Sequence, residues 1–522
     1  MADAGFGRAD LTVYEPRMAM LGWGLPDQRP ERVGVELFAR AMALRDDGRI
    51  RAVVVADLCF ISSALRARVL DRLRRTGIRD ADLMVLGTHT HSGPNGFHHA
   101  LFYDLSGPGL SERVLAGLAA AIADAVEEAV ARLEPARLSV GRDTVEPGIA
   151  FNRALEAHRR NPDARAEPVD RTLTVVCART PGGVLLGALV CFPLHATSVH
   201  ADHRQLHPDH KGLAAMALEA RFSALEGSRF VALCVQGAAG DVTPNHRFDP
   251  RRGVTVGRFD DDFASARHVA DAEVRAALRA FERTTPLSDS RHSALTRVDF
   301  ERRPVSNLYA PPGARTSQAR LGIGMALGTR EGPGPLATLA RLVNAARRDE
   351  GDPKRTLLTV GPVRTPSDQC RLLRRIDPRR LPVPHPAFQR VRALAERDAL
   401  GELAWIPTVL PVQLWRLGDL ALLALPNEPT TIAGRRLARA VTASWGLEHT
   451  LVIGYANAYS GYLTTPEEYA IQRYEGAYTL FGSHTLGAYL EAAVALTTSE
   501  DGVDEGPQTP LCTASQARAR SL

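Results

Sequence analysis

The stretch "RAVVVADLCFISSALRARVLDRLRRTGIRDADLMVLGTH", residues 51–89, decides the fold class. Its first part, 51–61, is a continuous apolar run rich in β-branched residues, which indicates a buried strand. Residues 62–77 follow helical spacing and end at a glycine, and "DLMVLGTH" (82–89) predicts the next strand. The strand–helix–strand order predicts an α/β protein, with a mixed β-sheet core flanked by helices.

The same alternation continues along the chain. Residues 111–133 are Ala-rich with helical spacing, and Ser111 is a typical N-cap residue. Two strands are predicted on either side of the Pro-Gly-Gly turn at 181–183, and "RFVALCVQGAAGD" (229–241) is a strand that runs into a glycine-rich turn. Residues 300–400 are rich in Arg and Pro and fit this rhythm poorly, so we interpret them as an insertion or lid.

Composition excludes several classes of protein. The chain has 522 residues, of which 45% are apolar and 24% are charged, as in an ordinary globular protein. The net charge of +5 is spread along the chain, so we expect no nucleic-acid partner and at most peripheral membrane contact. The six cysteines form no CxxC motif, which disfavours a disulfide framework or a cysteine zinc site.

Targeting signals and common catalytic motifs are not evident in the sequence. The first residues do not combine a basic segment with an apolar one, and no apolar run approaches the ~18–20 residues of a spanning helix. We therefore expect a cytoplasmic protein. There is no GxSxG nucleophile elbow, and neither lysine lies in a P-loop context.

Polar side chains recur where predicted strands end. In open α/β sheets, ligands bind outside the carboxyl ends of the strands, so these residues predict one site built from distant parts of the chain. The residues in question are His89, His195, Asp241, Glu428 and Tyr462.

Two histidine motifs could supply metal ligands. On an extended strand, His89 and His91 would face the same way and begin a metal site, although this spacing alone favours ordinary surface or hydrogen-bonded histidines. The stretch "PLHATSVHADHRQLHPDHKG" (193–212) holds five histidines. We expect most of these to be solvated, and His195, directly after an apolar run, to be the one placed for a buried site.

A catalytic zinc ion typically takes three protein ligands, so two histidines and one carboxylate would suffice. Glu428, in "LPNEPTT" (425–431), is a candidate for the carboxylate. The alternative is that Glu428 interacts with the dipole of the helix predicted to follow it.

Six motifs occur in an order that resembles the N-terminal catalytic domain of the neutral/alkaline non-lysosomal ceramidase family, over residues 5–495. They are "GTHTHSGPNGF" (87–97), "FNRALEAHRRNP" (151–162), "LHATSVH" with "PDHKG" (194–212), "QGAAGDVTPN" (236–245), "NEPTTIAGRRL" (427–437) and "ANAYSGYLTTPEEYAIQRYEGAYTLFGSHT" (456–485).

The resemblance implies a zinc-dependent amidase that cleaves ceramide, or a similar N-acyl lipid, into a sphingoid-type amine and a fatty acid. It implies one Zn²⁺ per chain, at the carboxyl ends of the strands. The implied zinc ligands are His89, His195, Glu428 and Tyr462, with Tyr459 as a neighbouring tyrosine. His91 would be a general acid/base, and Arg153 and Tyr474 would hold the substrate carbonyl or its oxyanion.

Departures from the family pattern keep other functions open. Thr243 stands where the family often has Ser, and we favour turn chemistry as the role of both Asp241 and Thr243. Family members commonly carry a signal peptide and a C-terminal immunoglobulin-like domain, and neither is recognised here. A zinc amidase of the same fold acting on another intracellular N-acylated small molecule is therefore the alternative. A non-catalytic binding protein is less favoured because the implied site residues are retained.

These inferences predict the domain organisation. Residues 1–496 would form a ceramidase-like catalytic domain, with 300–400 as a divergent insertion or lid. Residues 497–522 are polar and without pattern, so we expect a disordered tail and no C-terminal immunoglobulin-like domain.

Overall fold

The structure is a computed structural model built as four layers, in which two mixed β-sheets stack face to face and helices cover their outer faces. The residues that the structure describes are 2–15, 18–25, 27–104, 107, 109–226, 229–334, 337, 352–359, 392–393, 396, 405–499 and 502–503.

The larger sheet has nine strands within these ranges. They are β1 (Ala2–Asp10), β2 (Phe38–Asp46), β3 (Arg49–Ala56), β4 (Leu83–Gly87), β5 (Glu134–Thr144), β6 (Thr172–Arg179), β7 (Leu185–Phe192), β8 (Val231–Gln236) and β9 (Thr285–Pro286). Their order is β8-β7-β6-β5-β1-β2-β3-β4, and β9 pairs with β5. The β3–β4 and β7–β8 pairs are parallel, and the other pairs are antiparallel.

The smaller sheet has five described strands in the order β13-β12-β11-β10-β14. They are β10 (Arg291–Asp299), β11 (Val409–Leu417), β12 (Leu420–Ala424), β13 (His449–Ile453) and β14 (Gly502–Val503). The β12–β13 and β10–β14 pairs are parallel. Strand β14 lies in the predicted tail, and its pairing with β10 departs from the disorder expected there; residues 504–522 lie outside the described ranges.

Helices and short strands complete the fold. The helices are α1 (Ser63–Arg72), α2 (Leu101–Asp104), α3 (Glu112–Ala131), α4 (Leu155–His158), α5 (Asp209–Glu226), α6 (Asp262–Phe281), α7 (Ile323–Leu327), α8 (Thr431–Trp445), α9 (Pro466–Ile471), α10 (Tyr474–Tyr478) and α11 (Thr485–Ala495). Short 3₁₀ turns span Leu73–Thr76 and Asp80–Asp82.

The short strands pair outside the two sheets. The pairs are Met20–Gly22 with Ser92–Pro94, Arg32–Val33 with Gln205–Leu206, Phe151–Asn152 with Val242–Thr243, Arg247–Asp249 with Val254–Val256, Arg320–Gly322 with Thr356–Thr359, Gly328–Thr329 with Gly332–Pro333, and Glu428–Pro429 with Tyr462–Leu463.

Alternation along the strands produces the layers. In β3, Val53 and Val55 face the smaller sheet and pack in one cluster with Trp415 of β11. Val54, between them, faces the helices on the other side, because successive side chains of a strand point to opposite faces. The mixed sheets and flanking helices confirm the fold class predicted from the sequence.

Local signals in the sequence also match the structure. The predicted helix over 62–77 is α1 followed by a 3₁₀ turn, and Gly77 ends it with φ +74°. Ser62 and Ser111 cap α1 and α3, each accepting a hydrogen bond from a backbone N–H of the first turn. Within the described ranges, none of the helices combines the length and apolar character that a bilayer crossing requires.

Asn457 fastens the two sheets together. Its backbone adopts the left-handed region with φ +63°, which Asn tolerates better than most residues. Its N–H donates to Val85 O (2.8 Å), and its Oδ1 accepts from Val85 N (3.0 Å). Its Nδ2 donates to Gln413 Oε1 on β11 (2.7 Å). The middle of β4 is therefore held against the segment that follows β13.

Both lysines of the chain are buried. Lys211 and Lys354 are each 0% exposed. Lys211 Nζ pairs with Glu273 Oε2 at 3.2 Å, and Lys354 Nζ donates to Thr479 O at 2.6 Å. Burial lowers the pKa of Lys354 to about 7. The basic surface is accordingly made of arginine.

Helix α3 packs on β1 at backbone distance, and the glycines of β1 permit it. A Cβ on Gly7 would lie 2.2 Å from Ala125 O, and one on Gly5 would lie 2.1 Å from Ala129 O. Real Cβ atoms do not approach backbone oxygens this closely. These two positions therefore determine how near the helix layer lies to the sheet.

We expect Gly7→Ala to destabilise the protein by about 1–3 kcal/mol, the usual cost of overpacking, because α3 must move away from the sheet. The urea-unfolding midpoint measures this change. Gly182→Ala is the matched control, since its Cβ would meet only Thr180 Oγ1 at 3.7 Å. Equal midpoints for the two variants would contradict the close packing described here.

Candidate active site

Three side chains meet at the junction of the two sheets, and each of them follows a strand that belongs to a parallel pair. His89 follows β4, His195 follows β7 and Glu428 follows β12. One potential ligand atom from each lies within 4.8 Å of the others, and all three residues are buried. The predicted position beyond the carboxyl ends of strands is therefore found for all three.

The backbone at His89 differs from the extended geometry expected from the sequence. Strand β4 ends at Gly87, and His89 has φ +69°, an uncommon left-handed conformation for a non-glycine residue. The expected reason for the convergence of His89 and His91 was wrong, because it assumed an extended strand. The rings converge nevertheless, with Nε2 of His91 3.1 Å from Nε2 of His89.

The free ring nitrogens of the two buried histidines point into the site. His89 Nδ1 lies 2.7 Å from Cys59 O, and His195 Nδ1 lies 2.6 Å from Ala239 O. A carbonyl oxygen only accepts, so both Nδ1 atoms carry the proton and donate. In the neutral ring each Nε2 then presents a lone pair, and this is the arrangement by which histidine binds metals.

Glu428 completes the set of donor atoms. Its Oε2 lies 3.0 Å from His195 Nε2 and 3.5 Å from His89 Nε2. Lone pairs that face one another repel unless a cation, either a proton or a metal ion, lies among them. Two imidazoles and one carboxylate are a donor set that suits zinc, so these residues could hold such an ion.

Tyrosines fix the Glu428 carboxylate. Tyr455 donates to its Oε2 at 3.2 Å, and Tyr459 donates to its Oε1. Burial raises the pKa of Glu428, but the neighbouring His89 and His195 rings and the hydrogen bond from Tyr459 outweigh burial and hold this pKa well below its usual range. Glu428 therefore stays ionised.

Arg153 and Tyr462 lie on the other side of the donor set. Arg153 Nη2 donates to the Tyr462 hydroxyl at 2.7 Å, and this hydroxyl lies 3.2 Å from His195 Nε2. Burial raises the pKa of Tyr462 well above its ordinary value, while the charge of Arg153 opposes this shift. The Tyr462 hydroxyl thus lies next to the predicted ligand His195, with the charged Arg153 at its oxygen.

Two carboxylates hold Arg153 in place. Arg153 Nη1 pairs with Glu331 Oε2 at 2.7 Å, and its Nε pairs with Glu475 Oε1 at 2.9 Å. Sequence analysis missed both acids. Glu475 directly follows the predicted site residue Tyr474, and this neighbour could have identified it. Glu331 lies in the poorly patterned region 300–400, where no motif pointed to it. The rest of that predicted lid is mostly outside the described residues.

Tyr474 lies half-buried between Arg153 and a cavity. Its ring centroid is 5.8 Å from the Arg153 guanidinium carbon and 5.4 Å from the Tyr462 ring. The adjoining cavity has a volume of about 620 Å³. Its lining includes Asn152, Arg153, Thr243, Arg330, Arg473 and Tyr474. Because Phe151, Ala154 and Leu155 also line it, the wall is about equally polar and apolar.

His91 and a tryptophan lie at the edge of the donor set. The indole of Trp23 contacts the His91 ring edge-on, with 5.1 Å between ring centroids. The backbone of Gly22 lies against the same ring, where a Cβ would be 2.4 Å from His91 Cγ. Burial lowers the pKa of His91 well below its ordinary value, so the ring is neutral.

The expectation that most histidines of 193–212 are solvated was wrong. His200, His207 and His210 are buried, because polar partners inside the protein replace water. His200 Nδ1 lies 2.9 Å from Asp262 Oδ2, and His210 Nε2 lies 2.9 Å from His195 O. His210 thereby supports the backbone of the predicted ligand His195.

Asp241 and Thr243 bind protein groups rather than the donor set. Asp241 Oδ1 accepts hydrogen bonds from Thr431 N (2.7 Å) and Thr431 Oγ1 (2.8 Å) at the start of α8. Thr243 Oγ1 donates to Glu331. These contacts agree with the structural role favoured from the sequence. Asp241, rather than Glu428, contacts the amino end of α8.

Comparison with known proteins gives consistent matches. A family model described as "Neutral/alkaline non-lysosomal ceramidase, N-terminal" matches residues 3–491. Neutral ceramidase of Pseudomonas aeruginosa is 34% identical over 518 residues, covering 94% of this chain and 72% of that protein. Neutral ceramidase of Mycobacterium tuberculosis is 30% identical, covering 95% of this chain and 76% of that protein.

Solved structures match the whole architecture. A structure titled "Ceramidase complexed with C2" superposes with a TM-score of 0.81 at 32% identity, covering 98% of this chain and 78% of that one. The crystal structure of neutral ceramidase from Pseudomonas aeruginosa gives a TM-score of 0.78 at 29% identity, with coverage of 98% and 77%.

Glu331 predicts a pH dependence of stability. Burial raises its pKa, but Arg153 and His195 and the hydrogen bonds from Thr243 and Asn245 outweigh burial and lower this pKa from 4.5 to about 2. An ionised Glu331 thus stabilises the fold above pH 4.5 and loses this effect as the pH falls towards 2. The shift corresponds to a free energy on the order of 3 kcal/mol.

We expect Glu331→Gln to lower the free energy of unfolding at pH 7 and to approach the wild type below pH 4. Urea unfolding at several pH values measures the difference. The exposed Glu134 provides the control variant, Glu134→Gln, which should follow the wild type throughout. A difference between Glu331→Gln and wild type that did not change with pH would contradict the assigned ionisation.

Proposed function

Since the chain belongs to the neutral/alkaline non-lysosomal ceramidase family, we propose that it is a zinc-dependent amidase that hydrolyses the N-acyl amide bond of ceramide or a similar N-acyl lipid. The products would be a sphingoid-type amine and a fatty acid. The observation that carries the proposal is the convergence of His89, His195 and Glu428, whose potential ligand atoms lie within 4.8 Å of one another in a buried site.

We propose that His89, His195, Glu428 and Tyr462 hold the zinc ion. The hydrogen bonds to Cys59 O and Ala239 O fix the tautomers that such binding needs. Tyr459 would act through Glu428, to which it donates. A bound zinc ion supplies a Lewis acid and lowers the pKa of a water molecule to ~7.

His91 would carry protons during the reaction. Its ring is neutral and its Nε2 lies 3.1 Å from His89 Nε2, so it can accept a proton from a nucleophilic water next to the donor set. The amine leaves readily only when protonated, and the same ring can return the proton to that nitrogen. Gly22 and Trp23 keep the ring in this orientation.

Arg153 and Tyr474 would stabilise the oxyanion that forms when the amide carbonyl is attacked. Arg153 carries its charge permanently, and the ion pairs with Glu331 and Glu475 hold the guanidinium in one position. Donors fixed before the reaction contribute more than mobile ones, because they need no reorganisation in the transition state. Tyr474 contributes its hydroxyl from the mouth of the cavity.

The charged side chains in the cavity favour a second candidate function. A lipid chain needs an apolar slot, whereas this cavity next to Arg153 and Tyr474 places Glu156, Arg330 and Arg473 beside the apolar Phe151 and Leu155. A zinc amidase that acts on a more polar N-acylated small molecule is the corresponding alternative. A water-soluble N-acyl amino acid is a suitable probe for it.

We expect His89→Ala to lose the catalytic zinc and to reduce amide hydrolysis to background, because one of the ligands is removed. Metal analysis and release of fatty acid from a fluorescent short-acyl ceramide measure the two effects, with the N-acyl amino acid assayed in parallel. Hydrolysis of only the soluble amide would select the second candidate. Full activity in zinc-free His89→Ala protein would overturn both.

We expect Tyr474→Phe to lower kcat by about 10²–10³-fold at unchanged zinc content, the usual cost of removing one oxyanion donor. Steady-state kinetics measures this change, on whichever of the two amide probes the wild type hydrolyses. The exposed Tyr14 provides the control, Tyr14→Phe, with wild-type kcat expected. A kcat for Tyr474→Phe within twofold of wild type would exclude the role given to this hydroxyl.

A further inference from the structure

A second group of potential metal ligands lies behind the candidate active site. His158, Asp241 and Glu468 each offer one ligand atom within 4.8 Å of the others. They are only 1%, 1% and 3% exposed. Within the described part of the chain, neither ring nitrogen of His158 has a hydrogen-bond partner, although buried polar atoms nearly always have one.

Asp241 retains one acceptor position. A carboxylate offers about four lone-pair positions. Three are used, because Oδ1 accepts from Thr431 N and Thr431 Oγ1 and Oδ2 accepts from Asn152 Nδ2 at 2.6 Å.

Glu468 retains one acceptor position as well. Its Oε2 accepts from Thr430 Oγ1 (2.5 Å) and Thr465 N (3.0 Å), and its Oε1 accepts from Asn161 Nδ2 (3.1 Å). These donors hold the carboxylate in a fixed orientation. Two oriented carboxylates and one imidazole thus each keep a lone pair for a common partner.

The charge of the group also favours a cation. Among the described residues, no Arg or Lys forms an ion pair with Asp241 or Glu468. Oxygen atoms of these two buried carboxylates lie within 4.8 Å of each other, so the carboxylates repel when both are ionised. A divalent cation would neutralise both, and the imidazole would bind it without adding charge.

We propose that His158, Asp241 and Glu468 form a second cation site, for a divalent transition-metal ion such as Zn²⁺ or Mn²⁺. Carboxylate oxygen with imidazole nitrogen suits these ions, whereas Ca²⁺ and Mg²⁺ prefer oxygen ligands alone. The site is separate from the donor set of His89, His195 and Glu428 and does not depend on the proposed catalysis.

The site joins the segments that carry the candidate catalytic residues. His158 ends the segment that begins at Arg153, and Arg153 N donates to Asp241 O at 2.9 Å. Asp241 contacts the start of α8, three residues beyond Glu428. Glu468 is the capping-box residue of α9, which follows Tyr462. A cation here would hold these three segments together and would therefore be structural.

The test is the metal content of the purified full chain after equilibration with Zn²⁺ or Mn²⁺ and removal of free ions. We expect two ions per chain in the wild type and one in His158→Phe, which keeps the ring volume without the nitrogen ligands. The control is His98→Phe, because His98 is equally buried with an unpartnered Nε2 but belongs to no ligand group of the described residues. It should retain two ions.

His89→Ala separates this proposal from the catalytic one. We expect it to keep one ion, which the double variant with His158→Phe then loses. Suppose instead that the wild type binds one ion, which His158→Phe retains and His89→Ala loses. That result would overturn the second site and leave the amidase proposal intact. One ion lost only in His158→Phe would instead overturn the catalytic zinc site. Glu468→Gln should reproduce His158→Phe if the latter fails to fold.

Discussion

The hydrogen bonds between Asn457 and Val85 hold the candidate site together, because its two halves come from different sheets. His89 and His195 follow strands of the larger sheet, and Glu428 and Tyr462 follow strands of the smaller one. A site of this kind needs a rigid junction between the sheets. Asn457 provides one by binding Val85, in the middle of β4, with both its backbone and its side chain, while its amide donates to Gln413 on β11.

Charge compensation is the second condition for the site. Arg153 is buried among Glu331, Glu475 and the Tyr462 hydroxyl, so a cation that would be costly alone is fully paired. The same pairing fixes the guanidinium beside the donor set. Glu331 and Glu475, which contact no substrate in our proposal, therefore determine where the positive charge of Arg153 lies.

The sequence predicted those features that depend on local pattern. Strand ends and helix caps are set by neighbouring residues, so the positions of His89, His195 and Glu428 beyond their strands could be inferred. The left-handed backbone of His89 could not, because tertiary contacts impose it. Glu331 and the buried His200 were missed for the same reason: their partners, Arg153 and Asp262, lie far away in the chain.

The burial of both lysines restricts the covalent chemistry available at the protein surface. Lys211 and Lys354 are 0% exposed, and these are the only ε-amino groups in the sequence. Acylating enzymes and amine-directed cross-linkers act on an accessible, unprotonated amine. The folded protein offers them no side-chain target, so its surface charge cannot be changed through lysine modification.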